Sequence, residues 1–289
     1  MSGPADRKVE WRVPVGDDTP PWLARLAPHL EGFSIKRRLQ LIDVLKTRAQ
    51  VELADGVRLS LHSEYELRRV RKSGESDRPI ADWVRSFQPG EVFYDVGANT
   101  GLFSLMAGHV HAGGVPVYAF EPGFSSYEAL VRNVIENGLS ASVHPLPLAV
   151  YSHTGLKSFH YRRLEAGAAK HGVDVPLDAK SGELFEPMAS QTALTITLDD
   201  FVSHFAAPPP IHLKVDVDGH EGRVLEGCRR LLADSVRTIC LEATQTDPAD
   251  SRPQLLIAQA NAAGFTLVHT VDHHVDRYPR VFDFLFVRA

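Results

Sequence analysis

Residues 92–106, which read VFYDVGANTGLFSLM, combine an acid, a glycine-bearing turn and the start of a helix in one short run. The apolar residues at its start predict a buried strand that ends in Asp95, and an apolar helical pattern follows the turn. A strand, a tight turn and a helix N-terminus in this order form a cradle for the polar end of a nucleotide-like cofactor. The turn contains Gly97, Ala98, Asn99 and Gly101.

A second acid stands at the end of the next predicted strand. Residues 117–120 form another apolar run, and Glu121 closes it 20 residues after Gly101. An acid at this distance from the turn can hold the hydroxyl groups of a ribose. The sequence therefore places two carboxylates at the tips of neighbouring strands.

The two acids separate one cofactor from another. A dinucleotide-binding turn reads G-x-G-x-x-G, so that the backbone can approach a pyrophosphate. Here the turn reads G-A-N-T-G, one glycine short, and Asp95 would repel a pyrophosphate. The same carboxylate suits the ammonium group of an amino acid. S-adenosylmethionine has that ammonium and a ribose but no phosphate, and it is the predicted cofactor.

A second group of polar residues follows two later strands. Residues 213–221 read LKVDVDGHE, so Asp216 ends a strand, and Glu242 ends the strand at 238–241. Ligands of open parallel sheets bind beyond the carboxyl ends of the strands, which brings both acids to the edge that carries Asp95 and Glu121. Such a pair can share a proton, hold a divalent cation or bind sugar hydroxyls, and the sequence leaves all three open. We expect Glu221 to cap the helix that it begins.

Composition limits the class of protein. The chain has 289 residues, 44% of them hydrophobic, and a net charge of −5. This balance gives no global basic surface for nucleic acid. The sequence lacks both an apolar run of about 18 residues and a signal-peptide core, so we expect no membrane insertion and a cytoplasmic location. Cys228 and Cys240 stand among apolar neighbours and are interpreted as buried thiols.

The elements that position these residues begin after an N-terminal extension. We assign residues 1–88 to this extension, with one or two amphipathic helices within 22–50 and a β-hairpin around Asp55 and Gly56. Residues 89–289 form the cofactor-binding domain. There strand and helix patterns alternate, with one predicted helix over 221–232, and a long irregular stretch covers about 152–190. The last two strands, 265–270 and 281–287, are typical of a Rossmann-like methyltransferase fold, in which the last strand is antiparallel.

At this point the ordered motifs resemble the FkbM family of S-adenosylmethionine-dependent methyltransferases. The resemblance covers about residues 50–289 and is carried by FYDVGANTG, AFEPGFSSYEALVRNVIENG, TLDDF and KVDVDGHEGRVLEG. It implies an α/β class I methyltransferase fold with a mostly parallel seven-stranded sheet. Family members commonly read K-I-D-V-E-G where this chain has Asp218 in place of the glutamate. The cofactor residues implied by the resemblance are Asp95, Gly97, Ala98, Asn99, Gly101, Glu121, Pro122, Ala149 and Val150, the last two near the adenine.

The expected reaction is methyl transfer to a hydroxyl group of a sugar, a glycan or a natural product. Asp216 is the first candidate base, His220 is the second, and Lys214 joins them as a charged group that we expect to pair with an acid. Asp216 and Glu242 are the candidate ligands of Mg²⁺ or another divalent cation. The stretch 152–190 is expected to choose the acceptor, because long loops often bind substrates.

Three other functions use parts of the same pattern. A nicotinamide-dependent oxidoreductase shares the strand, turn and helix, but the missing glycine and Asp95 disfavour it. A non-catalytic interaction module would be expected to lose the acids. A methyltransferase that acts on another small molecule, a lipid, a protein or a nucleic acid is the nearer alternative. A homo-oligomer is compatible with the sequence.

Overall fold

The computed structural model describes residues 21–46, 49–53, 55–72, 78–178, 182–273 and 278–288. In chain order, the strands are β1 Ala49–Glu52, β2 Arg58–Leu61, β3 Phe93–Val96, β4 Val117–Phe120, β5 Val143–Leu146, β6 Ala149–Val150, β7 Gly155–Tyr161, β8 Gly172–Val173, β9 Leu177–Asp178, β10 Glu183–Leu184, β11 Ala189–Ile196, β12 His212–Val215, β13 Thr238–Gln245, β14 Phe265–Asp272 and β15 Arg280–Arg288. The helices are α1 Pro21–Glu31, α2 Ile35–Lys46, α3 Glu64–Lys72, α4 Arg78–Arg85, α5 Leu102–Val110, α6 Phe124–Glu136, α7 Leu198–Phe205, α8 Glu221–Glu226, α9 Arg229–Asp234 and α10 Arg252–Ala262.

The large sheet has seven strands in the order β14-β15-β13-β12-β3-β4-β5. The pairs from β13 through β12, β3 and β4 to β5 are parallel, whereas β15 runs antiparallel to both β13 and β14. The predicted fold class, with its mostly parallel sheet and antiparallel last strand, is confirmed.

Alternation of side chains gives the sheet an apolar core on each face. On β3, Phe93 packs in one buried cluster and Tyr94 in the other. On β13, Cys240 and Leu241 divide in the same way. Strands that are buried on both faces read as continuous apolar runs, which is why these strands were recognisable. The predicted burial of the two free cysteines, Cys228 and Cys240, is also confirmed.

The structure divides the chain into one compact unit that ends at Ala49 and a second unit, Gln50–Ala289. The first contains α1 and α2, as the helical spacing predicted. The second already includes the predicted hairpin, because Asn133 on α6 accepts from the Ser60 amide of β2 at 3.1 Å. The predicted functional boundary between residues 88 and 89 stays a prediction.

The predicted irregular stretch 152–190 is the clearest departure. It contains β7 to β10 and the start of β11, and β6-β11-β7-β8 form a second sheet. The stretch carries little apolar periodicity, because Leu156 in β7 is exposed while Lys157 beside it is partly buried, and β8 to β10 have only two residues each. The predicted helix 221–232 is broken into α8 and α9. A side chain at Gly227, between them, would come within 2.4 Å of the Tyr151 carbonyl oxygen.

Candidate active site

Polar side chains of four neighbouring strands meet at the carboxyl edge of the large sheet. Asp95 is the last residue but one of β3, Glu121 follows β4, Asp216 follows β12, and Glu242 lies on β13. Asp95 pairs in register with Lys214 on β12. The predicted convergence of the four acids on one edge agrees with this strand arrangement.

Glycine shapes the turn after β3, which we call the first turn (residues 97–101). The amides of Gly97 and Ala98 both donate to the Phe120 carbonyl oxygen at 3.0 Å. Gly97 has φ +81, and a Cβ there would lie 1.9 Å from the Asp216 carbonyl oxygen. The turn therefore brings the backbone after β3 directly against the backbone after β12. Gly101, at φ +95, leads into α5.

Asp95 is almost completely enclosed, with 1% of its surface exposed. Its Oδ2 accepts from the Ser104 hydroxyl at 2.6 Å, while its Oδ1 has no hydrogen-bond partner among the described residues. Burial raises the pKa of Asp95, although the Lys214 charge and the Ser104 bond oppose that effect. An orphaned buried carboxylate oxygen is a site that a cationic ligand group would satisfy.

Glu121 accepts hydrogen bonds from the first turn and from the residues that follow β4. Its Oε2 accepts from the Asn99 amide at 2.9 Å, and its Oε1 accepts from the Gly123 amide at 2.7 Å. The residue is 6% exposed, and burial raises its pKa to about 7. Pro122 contributes its carbonyl oxygen to the Gln191 side chain at 2.9 Å. Each carboxylate oxygen keeps further acceptor capacity, because an ionised carboxylate offers about four lone-pair sites.

Ala149 and Val150 form β6, a two-residue strand that is buried and pairs in parallel with β11. Val150 belongs to the same apolar cluster as Phe120, the residue before Glu121. The contact of Ala149 and Val150 with an adenine ring stays a prediction.

Lys214 lies between two groups of acids, which we call the first half of the site (Asp95 and Glu121) and the second half (Asp216 and Glu242). Its Nζ is 3.1 Å from Asp216 Oδ2 and 5.2 Å from the centre of the Phe103 ring. Burial alone would lower the pKa of Lys214, but Asp216 and Asp95 together raise it above the usual value. The expected pairing of Lys214 with an acid is confirmed, and this lysine is a permanent cation at neutral pH.

Strands β13 and β15 add an acid to the row that the sequence analysis did not predict. Glu242 on β13 faces Asp283 on β15 in register, and Asp283 Oδ2 lies 2.7 Å from His273 Nε2. Burial, followed by the charges of Asp216 and Asp283, raises the pKa of Glu242 well above its usual value. Asp283 and His273 were missed. The available signal was an acid inside the apolar run VFDFLFV, which is unusual in a buried strand.

The turn after β12, which we call the second turn (residues 216–221), resembles the first in construction. Glu221 Oε1 accepts from the amides of Val217 at 3.1 Å and Gly219 at 3.0 Å. Glu221 stands in the first turn of α8, but these two amides precede the helix, so its carboxylate holds the turn and its capping of α8 stays a prediction. Burial raises its pKa to about 7. His220 is partly buried 5.7 Å from the Tyr151 ring, and burial lowers its pKa.

The described residues contain no group of three or more His, Cys, Asp or Glu side chains that could hold a metal ion. Asp216 and Glu242 lie at the same edge of the large sheet. Lys214, however, occupies one side of Asp216 and neutralises part of the negative charge that would attract a cation. The predicted divalent cation is not supported. In the same part of the chain, no helix has both the length and the apolar character needed to cross a membrane.

Comparison with known proteins gives this geometry a chemical context. Residues 95–284 match the family model described as "Methyltransferase FkbM domain". The hexuronic acid methyltransferase AglP of Haloferax volcanii is 29% identical over 195 residues, which cover 67% of this chain and 73% of the relative. The 31-O-demethyl-FK506 methyltransferase FkbM of Streptomyces tacrolimicus is 28% identical over 204 residues, which cover 64% and 76% respectively.

A crystal structure of methyltransferase FkbM from Methylobacillus flagellatus is also similar. It shares 17% sequence identity and a TM-score of 0.46, over 91% of this chain and 60% of that one. The family match spans both turns of the site and the strands between them. It favours methyl transfer over the nicotinamide-dependent alternative and over a non-catalytic module.

Proposed function

This chain belongs to the FkbM family of S-adenosylmethionine-dependent methyltransferases, and we propose that it methylates a hydroxyl group of a sugar, a glycan or a natural product. The two relatives are named for a hexuronic acid and for 31-O-demethyl-FK506. The observation that carries the proposal is the row of acids along one sheet edge, in which Asp95 and Glu121 are buried.

The first two acids fit the cofactor. The orphaned Oδ1 of Asp95 is a place for the ammonium of S-adenosylmethionine, because it is buried and has no donor among the described residues. Glu121 offers its remaining lone pairs to the ribose hydroxyls. Bound S-adenosylmethionine supplies a methyl group that its sulfonium has already activated, so the chain mainly has to align the acceptor.

The polar groups after β12 and on it are our candidates for handling the acceptor. Asp216 is our first candidate for taking the proton from the acceptor hydroxyl, and Lys214 Nζ lies 3.1 Å from its Oδ2. His220 is the second candidate, since its lowered pKa leaves a neutral imidazole at pH 7 that can accept a proton. Lys214 itself carries a raised pKa and therefore acts as a positioning cation rather than as a base.

Glu242 has a different task from Asp216. Burial and the charges of Asp216 and Asp283 raise the pKa of Glu242 well above its usual value, which favours the protonated carboxyl group. A protonated carboxyl donates one hydrogen bond and accepts others. We infer that Glu242 orients an acceptor oxygen while Asp216 or His220 removes the proton.

A direct test separates cofactor binding from turnover. The purified protein is incubated with S-adenosylmethionine and a panel of hydroxylated acceptors, including hexuronic acids, and mass spectrometry detects addition of one methyl group. Asp95→Asn should weaken cofactor binding about tenfold to a hundredfold in calorimetry, because a charged hydrogen bond is lost. Asp216→Asn should retain cofactor binding and lose about a hundredfold in turnover.

The exposed Asp82 on α4 provides the matched control, since Asp82→Asn makes the same chemical change outside the site. Its cofactor affinity and turnover should equal those of the wild type. Unchanged affinity in Asp95→Asn would remove the ammonium assignment. Methylation found only on nitrogen or carbon acceptors would reject a hydroxyl acceptor.

A further inference from the structure

The connection between β7 and β8, residues 162–171 (segment 162–171), carries several hydrogen bonds to other parts of the chain. The Gly167 amide donates to the Ser126 hydroxyl at the start of α6, at 3.3 Å. Ala168 has no exposed surface, at 0%. A loop whose centre is fully buried forms part of the packed structure rather than an open surface connection.

Two of these bonds tie the segment to the two turns of the active site. Asn99 Nδ2, in the first turn, donates to the Ala168 carbonyl oxygen at 2.9 Å. The Lys170 amide donates to Asp218 Oδ2 in the second turn. The segment therefore bridges the cofactor half and the acceptor half of the edge.

Both anchor residues hold a left-handed backbone without being glycine, with φ 51 at Asn99 and φ 52 at Asp218. Such residues are strained, and they persist where the surrounding structure fixes them, commonly at functional sites. Asn and Asp tolerate this conformation better than other residues with a side chain. Each strained residue directs its side chain to the segment, so the strain and the bridging coincide.

The other side of the segment is fixed to α3 and the residue before it. Arg69 Nε donates to the Gly167 carbonyl oxygen at 2.8 Å, and the Ser63 hydroxyl donates to the Ala166 carbonyl oxygen at 2.5 Å. Gly167 has φ +81, and a Cβ there would meet the Glu66 amide nitrogen at 2.7 Å. The segment thus lies between α3 and the two turns.

Segment 162–171 lies beside Glu121, the acid that we assign to the ribose hydroxyls. Asn99 links the two directly, since its amide donates to Glu121 while its side chain donates to Ala168. Arg69 and Asp218 both act on the charge of Glu121, so the groups that hold the segment also surround this acid. With Glu121 only 6% exposed, a ligand that reaches its carboxylate has to displace part of this arrangement.

We propose that Asn99 and Asp218 are positioning residues that latch segment 162–171 over the first turn, and that the latch opens to admit S-adenosylmethionine and closes for methyl transfer. The identity of the ligand rests on the proposed function, whereas the latch itself rests on the hydrogen bonds. Asp218 stands where the resembling family commonly has glutamate, and in this chain its carboxylate reaches the backbone of the segment.

Asp218→Gly is the sharpest variant, because glycine keeps the left-handed backbone and removes only the carboxylate. Hydrogen exchange read by mass spectrometry should show residues 166–171 exchanging about five to ten times faster, as expected for one lost hydrogen bond. Stopped-flow measurements should show cofactor association and dissociation both about five times faster, with little change in affinity. Turnover should fall more than the KM for the cofactor changes.

Asp174→Gly is the matched control. Asp174 also has a left-handed backbone, at φ 71, and its carboxylate pairs with Lys157 outside the segment. This variant should leave exchange in 166–171 and the cofactor rates unchanged. Asp218→Asn retains an acceptor oxygen and should restore most of the protection that Asp218→Gly loses.

Unchanged exchange in 166–171 of Asp218→Gly would overturn the latch. Equal acceleration in β3 and β12 would also overturn it, since that pattern reports general destabilisation. If exchange rises locally but the cofactor rates stay the same, the segment does not control access and the proposal is wrong. Absence of cofactor binding by the wild type would overturn the proposed function, and the exchange data would still support or overturn the latch.

Discussion

The two turns at the carboxyl edge of the large sheet share a construction but differ in charge. The first turn follows β3 and the second follows β12. Each is held by a buried glutamate that accepts two backbone N–H groups, Glu121 in one case and Glu221 in the other. Burial raises the pKa of both to about 7. A buried carboxylate is thus one way to hold a tight turn whose amides have no strand partner.

The surroundings of the two turns differ. The first turn depends on glycine backbone and on the neutral Ser104 hydroxyl beside Asp95. The second is flanked by ionisable side chains, with Lys214 bound to Asp216 and Glu242 facing Asp283. This difference fits the proposed division of labour, in which backbone geometry holds a cofactor and side-chain chemistry handles the acceptor. Changes at the contact between the turns should therefore have the largest effects.

The largest effect is expected from Gly97→Ala. The new Cβ would lie 1.9 Å from the Asp216 carbonyl oxygen, and the position has φ +81. Because the clash is with backbone, both turns have to move apart. We expect a loss of more than about 4 kcal/mol in the free energy of unfolding. Chemical denaturation followed by circular dichroism measures it.

Gly90→Ala separates the clash from the conformational strain. Gly90 has φ +86, but a Cβ there meets nothing within 4 Å. This variant should lose only about 1 kcal/mol. Equal losses in the two variants would mean that the turns are not in the close contact that the comparison requires.

Lys214→Met should have the next largest effect. The substitution keeps an apolar stem over Phe103 and removes the cation that is 3.1 Å from Asp216. Asp95, at 1% exposure, then lacks its counter-charge. Breaking a buried ion pair by removing one partner costs about 3 kcal/mol. Urea unfolding at pH 7 would measure the loss.

The double variant Lys214→Met, Asp95→Asn sharpens the comparison. If Lys214 neutralises Asp95 as well as Asp216, removing the Asp95 charge should recover about 1 kcal/mol of the stability that Lys214→Met loses. Strict additivity of the two single changes would show that Lys214 serves only Asp216. The two halves would then be electrostatically independent.

The first half was easier to predict from the sequence than the second. Asp95, the glycines of the first turn and Glu121 stand next to one another in strand–turn–helix patterns, so local spacing was enough to find them. Glu242 could be placed because a parallel sheet brings strand ends together. Asp283 and His273 come from the antiparallel terminal pair, and they join the row only through the register of β13 with β15.

The stretch 152–190 was hard to predict for another reason. Its short strands β8, β9 and β10 have two residues each, too few for a period to be seen. The bonds of segment 162–171 to Asn99, Asp218 and Arg69 join residues 48 to 98 positions apart in the chain. No local pattern encodes contacts at such separations. The bonds from β2 to Asn133 and Asn137 join equally distant positions of the chain.

The smallest of the effects that we expect is a change with pH. Burial raises the pKa of Glu121 from the ordinary value of 4.5 to about 7. The folded state therefore binds this proton more tightly than the unfolded chain, and the stabilisation present below pH 4.5 is lost as pH rises through about 7. Gln cannot ionise, but its NH2 group replaces one of the two oxygens that accept the Asn99 and Gly123 amides, so Glu121→Gln should be less stable than the wild type at low pH. That deficit should shrink by about 2 to 3 kcal/mol as pH rises to 8.

Glu221→Gln extends the same test to the second turn, because Glu221 has the same raised pKa of about 7. Denaturation midpoints at pH values between 4.5 and 8 should show the stability of both variants rising relative to the wild type. The control is Glu128→Gln, which makes the same chemical change at an exposed residue of α6 outside both turns. If only one of the two buried glutamates gives the rising curve, the turns do not share a construction, and the charge of the neighbouring Asp216 is the first difference to examine.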